Sequence, residues 1–246
     1  MKTHTIQKLV LITLLTLSAS AFAEDFNKFY IQGIIGSPIK EISEGNLLAG
    51  AYASGKLGGV DTSASKATFG LKLGYRLSET LRFDLSYYDL SYGKTTWGTD
   101  FCNCQEYNPN SANAYPFSAN LSSDTVFASA YYSVNSSVLP KGLSPYFGIG
   151  LGSSRNKFKD GTGNYGIGDN DLLGNKTKNS FAYKFDLGVE YAINKNFGID
   201  AAVTFMDIGK FSSANYRDYG GIGTIVPYTF SSDLAPIYNV GISYKF

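Results

Sequence analysis

Few side chains in this sequence are equipped for acid–base or nucleophilic chemistry. The one histidine is His4, and imidazole is the group that titrates nearest neutral pH and most often moves protons in catalysis. Cys102 and Cys104 flank Asn103. Two thiolates fall short of the four ligands of a structural zinc site, and exported cysteines favour a disulfide. A bridge across so small a ring is strained and entropically weak, which leaves a redox switch or an intermolecular link as alternatives. Gly148, Gly150 and Gly152 alternate strictly, with no lysine or helix start after them, so they line a strand face rather than cradle a phosphate. No catalytic set, metal site or cofactor motif is read, and the expectation is a protein that is not an enzyme.

The charged residues form the richest constellation. Lys72, Arg76, Arg82, Lys184 and Lys245 alternate with apolar neighbours, and so do Asp84, Asp186, Glu190 and Asp200. Five bases against four acids on one side of a sheet suggest a near-balanced network. Two functions fit: a salt-bridged structural plug, or a narrow gated pore whose pairs open.

Alternation is also what defines the elements carrying these charges, because successive side chains on a strand point to opposite faces. In residues 68–77, Phe69, Leu71, Leu73, Tyr75 and Leu77 oppose Thr68, Gly70, Lys72, Gly74 and Arg76. The same pattern recurs over 81–88, 145–152, 181–193, 197–206 and 234–246. Residues 28–36 and 124–134 are apolar enough for strands, but their faces are ambiguous: Phe127 and Tyr131 compete with Val126, Ala128 and Tyr132. That makes eight strands. An apolar face set against fully charged neighbours and ending in aromatics such as Phe181, Tyr191 and Phe197 is the pattern of strands that face lipid. Only a closed barrel lets strands cross lipid without an unsatisfied edge.

The ends agree. Lys2 and Lys8 precede an apolar run, and Ala21-Phe22-Ala23 gives a signal-peptidase site. Residues 1–23 are therefore expected to be an export signal, which would remove His4, and 24–246 a single barrel domain. The remaining chain has a net charge of −1 and so no footprint for nucleic acid; the full chain carries +1. Its 19 Tyr, 17 Phe and 27 Gly suit strands and turns.

Connections alternate in length. Ser78-Glu79-Thr80, Asn194-Lys195-Asn196 and the stretch near 135–143 are short, whereas 37–66, 93–123, 156–180 and 210–231 are long. Short turns are periplasmic and long loops external in such barrels. The expected architecture is thus an all-β, eight-stranded antiparallel transmembrane up-and-down barrel with four long extracellular loops. The second loop holds Trp97, Phe101, Tyr107, Tyr115 and Phe117, and the fourth holds Phe211, Tyr216, Tyr219, Tyr228 and Phe230. Tyr and Trp offer rigid amphipathic contact surface, so Trp97, Phe101, Tyr107, Tyr216 and Tyr219 are candidate contact residues. The alternative is that these aromatics sit in an outer girdle or pack the loops on one another.

Residues 145–152 (PYFGIGLG) resemble the PYxGxGxG strand of the OmpA-like outer-membrane β-barrel superfamily, the opacity-related surface antigens. Residues 180–209 are similar to that family's sixth and seventh strands. The closing Tyr244-Lys245-Phe246 resembles its carboxy-terminal assembly signal, with Phe246 read by the barrel-insertion machinery. The resemblance implies a location in the outer membrane of a Gram-negative bacterium, amid membrane lipid and lipopolysaccharide. It also implies a structural surface antigen, with a host-binding adhesin that meets a host surface or serum protein as the more concrete form. Barrel enzymes of such membranes use a histidine that the processed chain would lack. The competing function is a pore or port for small or hydrophobic solutes.

Overall fold

The computed structural model describes residues 28–37, 42–43, 46–47, 55–56, 58–63, 66–100, 114–134, 138–164, 170–218, 222–232 and 234–246. Residues 1–23, Cys102 and Cys104 lie outside them, as do Phe101, Tyr107 and Tyr219.

Eight strands form the wall: β1 (Phe29–Gly36), β2 (Thr68–Arg76), β3 (Leu81–Asp100), β4 (Ala114–Ser133), β5 (Leu143–Asn164), β6 (Lys176–Ala192), β7 (Phe197–Asp207) and β8 (Ala235–Lys245). Each pairs antiparallel with its sequence neighbours, and β8 returns to β1 with Tyr30 opposite Lys245 and Gly36 opposite Asn239. The sheet therefore closes, and no barrel edge is left for lipid to strand. The tight inner turns are held locally: Leu77 N–H donates to the Leu81 carbonyl at 2.9 Å, and the Asn194 side chain accepts from the backbone of Asn196 and Phe197.

Alternation sorts the faces as the sequence patterns require. Leu71, Leu85, Ile149, Leu187, Val240 and Ile242 are exposed on the outside, while Lys72, Arg82, Asp84, Lys184, Asp186, Glu190 and Asp200 are buried inside. The ambiguous pair of strands resolves with Tyr30, Phe127 and Tyr131 inward and Val126 and Tyr132 outward.

Two of the segments read as loops, 93–123 and 156–180, are for the most part wall. β3 and β4 run for 20 residues each and β5 for 22, about twice the 9–11 residues that cross a bilayer. Above the lipid the outer face turns polar, so the apolar contrast that marks a strand in sequence disappears while the ladder continues. The fourth segment, 210–231, is no free loop either. Residues Lys210–Ser212 and Thr229–Ser232 pair with each other and with Ile42–Ser43 in a small three-stranded sheet, and this sheet packs against the inner face of the wall.

Candidate functional site

The lumen is filled in two storeys. At its inner end, Glu190 projects from β6 between Arg76 and Arg82, which flank the 77–80 turn, and Lys245 of β8. Arg76 Nη2 donates to Glu190 Oε1 at 2.6 Å and Lys245 Nζ lies 2.8 Å from the same oxygen, while Arg82 Nη1 bonds Oε2. Arg82 also sits over the rings of Tyr131 and Tyr146, 4.9 and 4.3 Å from their centroids, so cation–π attraction offsets part of its desolvation.

A second network lies above. Lys184 Nζ pairs with Asp186 and donates to the Tyr131 hydroxyl at 2.7 Å, which in turn donates to Asp186 Oδ2 at 2.9 Å. Thr204 donates to the other carboxylate oxygen and accepts from Asn239 Nδ2 at 2.8 Å. Lys72 lies 5.1 Å from the Tyr131 ring centroid; Asp84 and Asp200 are also buried in the lumen, Asp200 opposite Glu190 in the ladder. Buried charges persist when paired and hydrogen-bonded, and this arrangement does both for Asp186 and Glu190. The eight lumen charges of interest, Lys72, Arg76, Arg82, Asp84, Lys184, Asp186, Glu190 and Asp200, thus share one interior.

The outer storey is built on aromatic rings. Trp97 stacks on Phe117 with centroids 5.7 Å apart and packs edge-on against Phe230 at 4.9 Å, with Tyr228 and Phe158 beside it. Tyr92 meets Phe211 at 5.3 Å. Phe211, Tyr228 and Phe230 come from residues 208–213 and 228–232, which fold back into the mouth as a cap. The wall holds it through Ser154 and Asn156, whose side chains donate to the Ile208 carbonyl at 2.5 and 2.7 Å. Burial pushes the Tyr228 phenol up to about 12, a rise that neighbouring Arg217 moderates, so it stays neutral in any physiological medium.

Trp97 is consequently no surface contact: it is 2% exposed. The reason is a register shift between β3 and β4 at Ser91/Gly93, where Gly93 has φ 70. Below the shift even-numbered residues such as Tyr88, Leu90 and Tyr92 point inward; above it odd-numbered Thr95 and Trp97 do. A bulge turns the strand by one residue, and a glycine inside a strand was the signal in the sequence. Tyr216 is 45% exposed. Phe246 lies on the outside, its ring 5.3 Å from Tyr244 and its N–H donating to the Phe29 carbonyl at 3.2 Å. Missed in the sequence were Ser154 and Asn156, the anchors of the cap, which look like any polar strand positions.

A closed barrel of eight strands, greasy outside and charged within, defines an integral protein of the outer membrane. Residues 9–246 match the outer membrane protein beta-barrel domain, and the chain belongs to that family. It resides in the outer membrane of a Gram-negative bacterium. Outer membrane protein W of Salmonella typhimurium is 29% identical over 225 residues, 90% of each chain. Outer membrane protein PagN of the same organism is 29% identical over 125 residues, 50% of this chain and 49% of that one. Among solved structures, OprG from Pseudomonas aeruginosa aligns with a TM-score of 0.55 at 18% identity, covering 89% of this chain and 95% of that one.

Proposed function

We propose that this is a closed, non-conducting surface barrel whose work is done by the segments it displays outside, as a surface antigen and adhesin rather than as an enzyme or pore. The observation that supports this reading is the double filling of the lumen, with a charge network at the inner end and an aromatic cap at the outer one. An eight-stranded barrel has an interior only wide enough for side chains, and here those side chains are buried along its height. Against catalysis stands chemistry: the described residues contain no histidine and no group of three or more His, Cys, Asp or Glu placed to hold a metal.

The test follows from the placement of Trp97 and Phe117. A deletion in the connection between β3 and β4 must spare both, so residues 101–113 are the segment to excise. Cells displaying the wild-type protein are expected to adhere to host-cell monolayers at least several-fold better than cells displaying the deletion, with both proteins silent in planar bilayers. Equal adhesion, or steady wild-type conductance, contradicts the proposal.

A port for hydrophobic solutes is the second reading, favoured by the aromatic lining of the outer mouth. Trp97 is the sole tryptophan, so its emission reports directly on that cluster. Saturable quenching or a spectral shift on adding an apolar solute would favour the port.

A further inference from the structure

We propose that the outward face of β5 just above the lipid-facing band, formed by Arg155, Lys157 and Lys159, binds the phosphate groups of the lipopolysaccharide that surrounds the barrel. Phe147, Ile149 and Leu151 occupy successive outward positions on this strand and are 51%, 57% and 62% exposed, as lipid-facing side chains are. Ser153 follows, and then three cations at the next three outward positions. The neighbouring strand fixes the level. Phe181 of β6, 65% exposed, pairs with Ser153, and Asn179 pairs with Arg155. The cations therefore begin one row above the aromatic edge of the apolar band, the depth at which headgroups meet the wall.

Their chemistry is available. Arg155 and Lys159 are exposed and make no ion pair among the described residues. Lys157 is paired with Asp124, whose other oxygen accepts from Tyr87 at 3.0 Å, which holds the ammonium in place between its two neighbours. Asp160, next along the strand, accepts from Asn120 Nδ2 at 3.0 Å. Level with them in the ladder lie Asp89, Ser91 and Lys94 on β3, Asp124, Ser122 and Asn120 on β4, and Thr177 and Asn179 on β6; among the described residues none of these strands presents a row of three cations. A guanidinium forms paired bonds to phosphate, and each cation beside an anionic lipid surface adds attraction that salt screens. A sulfated polysaccharide in solution would use the same charges but has no need of the apolar rows directly beneath them, and those rows decide in favour of a lipid.

The probe is phosphorylated lipid A in mixed micelles, with its dephosphorylated form alongside. The test variant combines Arg155→Gln with Lys159→Gln, and the control combines Lys141→Gln with Lys195→Gln, the same charge change at the inner turns. Heat-dependent gel migration verifies that each is folded; should the test variant not fold, Lys159→Gln alone replaces it. The wild type and the control are expected to bind phosphorylated lipid A with equal affinity, about tenfold tighter than the test variant does, and to lose that advantage for the dephosphorylated form. Equal binding of both lipids, equal loss in both variants, or displacement by millimolar inorganic phosphate would overturn the proposal. So would a test variant that loses heparin binding while its lipid A binding is unchanged.

Discussion

At the scale of single residues the inner lumen turns on Glu190, one carboxylate shared among Arg76, Arg82 and Lys245. Truncating one member of a buried pair costs more than the pair itself contributes, since the other charge is left without compensation. Here three cations would be left facing one another. Glu190→Ala is expected to lower stability by about 3 kcal/mol, the low end of the ~3–5 range for broken buried pairs, because Arg76 and Lys245 keep some water at the inner mouth. Arg76→Ala should cost less than half as much, since Glu190 retains two partners. Urea midpoints of the folded barrel in lipid vesicles measure both, and equal losses would mean the carboxylate is not the hub.

At the scale of elements, β5 shows why its inward face is glycine. A Cβ on Gly148 would stand 2.2 Å from Tyr131 Cδ1, and one on Gly152 would stand 2.0 Å from the Val126 carbonyl. The absent side chain at Gly148 makes room for the Tyr131 ring, whose hydroxyl joins Lys184 to Asp186. Gly148→Ala is accordingly expected to destabilise the barrel by roughly 1–3 kcal/mol, the cost of overpacking a filled interior. Gly33→Ala, on the lipid side with nothing within 4 Å of its Cβ, should be neutral or slightly stabilising. The same urea titrations decide it; a silent Gly148→Ala would show that Tyr131 can move freely. Strands crossing the membrane were legible because lipid on one face and charge on the other enforce a contrast of period two. Where Ser122 and Asn120 of β4 run through water the contrast is gone, and half of that strand reads as loop. The inward turn of Trp97 was hidden by the bulge at Gly93, and the cap was hidden because its bonds from Ser154 and Asn156 join residues more than fifty positions apart. The charge set itself was readable, but its pairing was not, since register across four different strands decides which base meets which acid.

At the scale of the whole molecule the two fillings act in series. An ion crossing the barrel must pass the aromatic cap, where Phe158 and Phe230 present only rings, and then the Lys184–Asp186 network, where every vacated hydrogen bond is costly. For barriers in series the higher remaining one limits passage, so removing either leaves the tube shut. Trp97→Ala with Phe230→Ala is expected to be silent in planar bilayers, and Lys184→Ala with Asp186→Ala equally so. The combined fourfold variant should show stepwise conductance, provided it still migrates as a folded barrel. Conductance after opening the cap alone would mean that the charged storey is already permeable, and the molecule would then be a gated pore with the aromatic cap as its gate.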